Sequence, residues 1–218
     1  MVDSHLQLQQ KLQAVEAADS AQSMLDAVEE LAELGDEGAI DTLIRVLGYN
    51  NPGAAVAAVD GLIKIGTPAA SALLSQIDGY NYGARAWALR VLAGIGDPRG
   101  LDLILETAEE DFSLSVRRAA ARGLGSIQWE KLEGEEKKTA QLKARETLLK
   151  VAEDVEWVVR YGAVVGLQGV ASAAIDAGYA ELIEPIVWGL QTRAAQDESL
   201  AVQARAQWAI AQLPAAVV

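Results

Sequence analysis

The sequence predicts an all-α protein, an α-solenoid of about five helix pairs stacked as a single domain over residues 1–218. Three observations predict it. First, a short phrase recurs at the start of apolar helical runs: Ala84-Arg85-Ala86-Trp87-Ala88, Val116-Arg117-Arg118-Ala119-Ala120, Val159-Arg160-Tyr161-Gly162-Ala163 and Ala204-Arg205-Ala206-Gln207-Trp208, with residues 53–66 as a variant lacking the arginine. Second, Gly35, Gly66 and Gly96 stand 31 and 30 residues apart where helices must stop, and glycine takes the left-handed helix-ending conformation cheaply. Third, half of the chain is hydrophobic, and Ala, Leu and Val dominate that half, which suits helices packed closely side by side. A helical unit repeating every ~30 residues buries its apolar face only against its neighbours, so three or more units must stack.

Residues 1–19 read as a polar lead-in helix. Ser20 can cap a helix running to about Leu34, closed by Gly35. The first full unit is Ala39–Leu47, a turn at Tyr49-Asn50-Asn51-Pro52, then Gly53–Ile65. The second is Pro68–Ile77, a turn at Asp78–Tyr82, then Gly83–Ile95. The third is Pro98–Ala108, a turn at Glu110–Leu114, then Ser115–Ile127. Pro68 and Pro98 fall at helix starts, where the missing N–H is no loss. Residues 130–136 (EKLEGEE) break the period and read as a charged loop insertion. Lys137–Ala152, Trp157–Ala171, Ala180–Gln191 and Leu200–Gln212 complete the stack. Asp111 precedes Arg117 by six residues, as Asp154 precedes Arg160, and Asp78 precedes Arg85 by seven. An Asp near the start of a second helix can cap it and pair with the arginine, and stacked units then share the pairing, as HEAT-type repeats do.

Composition excludes much chemistry. There is no cysteine, so there is no disulfide, thiolate nucleophile or cysteine-held zinc. The only histidine, His5, lies on the lead-in, which removes Ser-His-Asp and Cys-His machinery and a histidine-ligated metal site. Gly162, Gly166 and Gly169 sit inside a helix and suit close helix packing rather than phosphate binding. The net charge is −13, and residues 1–40 hold nine acidic side chains against Lys11 alone. That acidic forty-residue stretch is either a solubilising cap on the first repeat or a docking surface for a partner. An acidic chain is not expected to bind nucleic acid. The N-terminus lacks the basic and apolar regions of a signal peptide, and the longest uncharged run, Tyr161 to Ile175, falls short of the ~20 residues that span a bilayer, so no membrane is expected and the chain is placed in the cytoplasm.

Against that acidic background, six arginines fall between Arg85 and Arg122. Five Trp and five Tyr against one Phe favour flat side chains with polar tips, which suit binding surfaces. On the helix from Gly83, the core stripe is Ala84, Ala88, Leu92 and Ile95; Trp87 and Arg90 share a different face. Arg118 and Arg122 do the same one unit later. Rings and guanidinium groups on neighbouring faces suit a planar ligand bearing carboxylates; packing of Trp87 between repeats accounts for the same spacing without a ligand.

The strings VLGYNNPGAAVAAVDGLIKIG (46–66), IDGYNYGARAWALRVLAGIGDPRGLDLIL (77–105), DFSLSVRRAAARGLGSIQW (111–129) and EWVVRYGAVVGLQ (156–168) resemble the HEAT-repeat bilin lyases of cyanobacteria and red algae, closest to the F-type subunits of the E/F-type phycocyanobilin lyases acting on the phycocyanin alpha subunit. The resemblance implies a lyase subunit active only with an E-type partner. Together they would attach phycocyanobilin through a thioether to a cysteine of the phycocyanin alpha subunit, or reverse or transfer that attachment. The bilin would be a substrate, with no permanently bound cofactor or metal. A related set of F subunits isomerises the bilin through a short motif containing His and Cys, which this chain lacks, so ligation without isomerisation is implied. On this reading Arg85, Arg90, Arg117, Arg118 and Arg122 hold the propionates, while Tyr80, Tyr82, Trp87 and Trp157 stack or line. Asp78 and Asp111 would bond the pyrrole nitrogens and set the bilin's protonation, or serve only as helix caps. A non-enzymatic HEAT adaptor binding phycobilisome proteins is the alternative.

Overall fold

The computed structural model describes residues 2–76 and 82–215, with side chains from residue 5 and from residue 83. Among them are twelve α-helices and no strand. The chain divides into two compact units, Met1–Ile95 and Gly96–Val218.

In the first unit α1 (Val2–Ala17) pairs with α2 (Ala21–Leu34), α3 (Ile40–Val46) with α4 (Pro52–Ile65), and α5 (Thr67–Gln76) with α6 (Tyr82–Ile95). The lead-in is thus the first helix of a pair. The second helices pack in a row, α2 on α4 and α4 on α6. Local chemistry sets the boundaries. Ser20 caps α2 by accepting the Ser23 N–H, and Ser23 returns the bond to the Ser20 N–H. Gly35 ends α2 at φ 60°. Asn51 caps α4 and Pro52 occupies its first position. The expected turn Asp78–Tyr82 lies almost wholly outside the described residues; its last residue, Tyr82, already begins α6. The predicted stripe of α6, Ala84, Ala88, Leu92 and Ile95, is buried.

In the second unit α7 (Leu101–Glu110) pairs with α8 (Leu114–Leu124), α9 (Gly134–Val151) with α10 (Trp157–Ala177), and α11 (Ile183–Gln196) with α12 (Leu200–Gln212). α7, α9 and α11 form the first-helix row, and α8, α10 and α12 the second. Several boundaries differ from the sequence reading, among them the end of α8 at Leu124 rather than Ile127. The insertion closes early, because a 3-10 turn at Trp129–Lys131 leads straight into α9 from Gly134. α10 extends to Ala177, where Gly178 ends it at φ 75°. α11 ends at Gln196 rather than Gln191. α10 is the single described helix long and apolar enough to cross a membrane, and 56% of that apolar stretch is buried.

α8 and α10 meet at backbone distance. A Cβ on Gly162 would lie 2.9 Å from the Arg118 carbonyl oxygen, and one on Gly125 2.8 Å from the Gly166 Cα. The glycines of α10 therefore serve packing, as their position inside a helix predicts.

The Asp–Arg spacing becomes a ladder along the turns of this unit. Arg117 donates from Nε and Nη2 to the Asp154 carboxylate at 2.8 and 3.1 Å, and from Nη1 to the Asp111 carbonyl at 2.8 Å. Arg160 repeats this with both Asp197 oxygens at 2.8 Å and the Asp154 carbonyl at 2.9 Å. Each arginine thus takes the backbone of its own turn and the carboxylate of the next. Asp154 and Asp197 also accept the N–H two residues on, from Glu156 and Ser199. The fourth recurrence was read two residues out of register: the arginine position of α12 is Gln203, whose Nε2 donates to the Asp197 carbonyl at 2.6 Å. Burial pushes the Asp154 and Asp197 carboxyls up, yet their arginines and backbone donors outweigh it and leave both below the ordinary range.

Asp197→Ala strands a nearly buried guanidinium and is expected to cost about 3–5 kcal/mol, read as a fall in the urea midpoint. Asp97, 3% exposed, is held at a pKa of about 2 by the Arg99 hydrogen bond against the cost of burial. Since its unfolded pKa is about 3.9, the carboxylate stabilises the fold above that value and the contribution fades as pH drops from about 4 towards 2. With Arg99 half exposed, about 1–2 kcal/mol is expected at neutral pH, so Asp97→Asn should flatten the acid limb of a stability-against-pH curve.

Candidate functional site

Counting from the buried alanine of each second helix (Ala88, Ala120, Ala163, Ala206), two positions stand out, the one just before it and the one two residues after. α6 has Trp87 and Arg90 there, with the Arg90 guanidinium 4.3 Å from the ring centroid. α12 has Arg205 and Trp208 there, ring and cation exchanged, at 4.6 Å. α8 places Arg122 in the position of Arg90, while α10 has Gly162 and Val165. The face predicted for Trp87 and Arg90 therefore exists in the first unit, and a counterpart appears in the second.

In the second unit the face gathers side chains from three helices. Arg118 and Arg122, one turn apart on α8, are exposed and make no hydrogen bond or ion pair among the described residues. The Arg118 stem lies against Gly162, 3.1 Å from where a Cβ would be. Arg205 donates from Nη2 to Gln168 Oε1 of α10 at 2.7 Å, while its Nη1 is buried without a hydrogen-bond partner. Burial holds the Arg205 guanidinium below its ordinary pKa; the Tyr161 hydroxyl nearby opposes this and the positive charge of Arg122 adds to it. Two like charges near enough to repel, one with an unpaired N–H, form a place where an anionic oxygen relieves both repulsion and desolvation. Tyr161, Gln168, Arg205 and Trp208 were not among the expected site residues. Arg205 and Trp208 stood in the fourth recurrence of the phrase, read in the wrong register, and Tyr161 in the third; Gln168 lay outside every recurrence.

The other expected residues sit elsewhere. Arg117 is fully engaged in the ladder. Asp111 lies on the α7–α8 turn with Oδ1 accepting the Ser113 N–H at 2.8 Å. Trp157, at the first position of α10, is half exposed at the turn edge that also carries exposed Phe112, Leu114, Val155 and Leu200. Arg85 is half-buried on α6. Asp78, Tyr80 and the Tyr82 side chain lie outside the described residues. No group of three or more His, Asp or Glu able to hold a metal occurs among the described residues.

The HEAT-repeat family model matches residues 70–168. The chain is 56% identical over 168 residues to the phycocyanin alpha phycocyanobilin lyase CpcF of Synechocystis sp., covering 77% of this chain and 78% of that one. It is 52% identical over 205 residues to a phycobilisome maturation protein of Synechococcus elongatus, covering 94% and 97%. Among solved structures, the complex of CpcE and CpcF of phycocyanin lyase from Nostoc sp. PCC7120 superposes with a TM-score of 0.70 at 49% identity, over 80% of this chain and 99% of that one.

Arg122→Gln removes a repulsion and no observed contact, so the substitution is expected to leave the Tm unchanged or slightly raised; a fall of several degrees would make Arg122 a structural residue.

Proposed function

This chain belongs to the F-type subunits of the HEAT-repeat phycocyanobilin lyases, and from that premise we propose that its second-helix faces hold the bilin while the thioether forms. With its E-type partner it attaches phycocyanobilin to the phycocyanin alpha subunit. The observation that carries the site is the arginine array of the second unit, where Arg118 and Arg122 lack protein partners and Arg205 has an unpaired N–H. Propionates are planar, bidentate acceptors that match guanidinium forks. Within the second unit Trp208 offers a flat face for a pyrrole ring, and the first unit, taken by itself, carries another in Trp87 with Arg90.

The division of labour follows from composition. The chain has no cysteine, so the attacking sulfur is that of the substrate protein. What this chain supplies is orientation: an extended bilin fixed by its carboxylates presents one reactive carbon to the thiol and withholds the others. Asp111 offers its second carboxylate oxygen at the turn edge for proton handling, and Asp78, which lies outside the described residues, is assigned the same role. Trp157 lines the approach from the same edge. Ligation proceeds without isomerisation, because the one histidine is an exposed residue of α1 and no thiol is present. The bilin is a substrate and not a resident cofactor. The absence of cysteine suits a reducing compartment, and the proposal places the protein in the cytoplasm.

In a bacterial host making the bilin, the apo alpha subunit, the E-type partner and this chain, omission of this chain is expected to abolish the covalent fluorescent product. Persistence of product without it would overturn the reading, and an adaptor would bind the proteins without changing the absorption of free bilin. Trp87→Ala and the pair Arg118→Ala/Arg122→Ala are each expected to lower attachment by about tenfold or more with the heterodimer intact on gel filtration.

A further inference from the structure

Below the end of α8, in the second unit, lies a cavity of about 350 Å³. Its walls include Gly125, the C-cap of α8, Trp129 of the 3-10 turn, Lys137 and Gln141 of α9, and Gly169 and Asp176 of α10. Gln141 is wholly buried, yet neither its amide nitrogen nor its amide oxygen has a hydrogen-bond partner, and the indole N–H of Trp129 is unpaired as well. Leaving such groups unpaired costs about 1–3 kcal/mol each. The described residues leave both ends of this amide unsatisfied, so a visiting partner with a donor and an acceptor would complete it.

The donor pattern narrows what that partner is. A primary amide offers an N–H and a C=O side by side, and its complement must do the same on one edge. A trans peptide bond cannot, because its N–H and C=O point to opposite sides. A lactam can, because the ring holds its amide cis. The indole N–H supplies a second donor to the lactam oxygen, which has two lone pairs. The cavity is the right size for one end of a drug-sized ligand. It also begins about one helical turn from the arginine array, since Gly125 caps α8 three residues after Arg122 and Gly169 follows Gln168 on α10.

We propose that this cavity takes a terminal lactam ring of the open-chain tetrapyrrole. On binding, the enclosed Gln141 and Trp129 side chains turn to the ring: its C=O accepts from Gln141 Nε2 and Trp129 Nε1, its N–H donates to Gln141 Oε1, and the propionates reach back to Arg122 and Arg205. The assignment rests on the preceding reading that the substrate is a bilin. It adds the direction in which the bilin lies and a residue, Gln141, that selects for the lactam end.

Two measurements on the assembled heterodimer test it. In nitrogen-15-labelled protein, the Trp129 indole and Gln141 amide resonances are expected to move with 2-pyrrolidone and to stay in place with N-methyl-2-pyrrolidone, which lacks the N–H; no movement with the first, or equal movement with both, overturns the lactam assignment. For the bilin itself, Gln141→Met is expected to weaken binding at least tenfold by absorption titration without lowering the Tm. Equal affinity of wild type and variant overturns the inference while leaving the lyase reading intact. If wild type binds no bilin, the lyase reading fails instead, and the 2-pyrrolidone result still decides the cavity's chemistry. The labelled wild-type protein decides the assignment should the variant not fold.

Discussion

Arg117 and Arg160 each hold two turns at once. One nitrogen of the guanidinium satisfies the backbone carbonyl of its own turn, and two others close on the carboxylate of the next. Because the carboxylate in turn accepts a backbone N–H two residues on, helix start, turn conformation and repeat-to-repeat register become one hydrogen-bonded object. Everything on the second-helix row of that unit inherits its position from it. A planar five-donor cation is what makes this possible; a lysine could reach one of these acceptors but could not span three. The ladder stops at Gln203, a neutral residue that can still cap its own turn but has no further carboxylate to meet.

With register fixed, the glycines of α10 bring its backbone against α8, and the cost of that approach is that neither helix can carry bulk at the contact. Side chains beside the contact are then forced together. Arg118 lies on Gly162, and Arg205 crosses from α12 to Gln168. The outcome is an electrostatically unfavourable array in an acidic protein, with Arg205 destabilised by burial and by Arg122. The Gln168 hydrogen bond and the Trp208 ring offset part of that cost. On the proposed function an anionic, planar substrate would relieve the rest, and a lactam the unpaired amide of Gln141. Strain of this kind is tolerated where a ligand relieves it.

The two pairs of ring and guanidinium show how one scaffold carries different chemistry. Trp87 with Arg90 and Arg205 with Trp208 occupy the same two repeat positions in opposite order. Either order stacks a cation on a ring, because the interaction depends on the three-residue spacing along the helix and not on which end bears the charge. The first pair was legible because it broke a visible apolar stripe. The second was hidden by a two-residue slip in aligning the phrase, which no local property of the sequence corrects.

The sequence by itself determined the helices, their pairing and those ends that carry a local cap. Glycine at positive φ, Ser20 and Asn51 as caps, and alanines on one stripe are local devices that act within a turn or two. It also excluded thiol and histidine machinery on this chain, and the resemblance to the bilin lyases put the nucleophile on the substrate protein. Only the tertiary structure decided which arginines are consumed and which are available. Arg117 and Arg118 are neighbours with equal charge, yet one is locked to Asp154 thirty-seven residues away and the other faces outward. That distinction depends on where the next repeat lands, as does the burial of Gln141 between elements far apart in the chain. Sequence patterns report what a helix does to its own face. The burial and the partner of a charged side chain are set by a neighbour the local pattern does not contain.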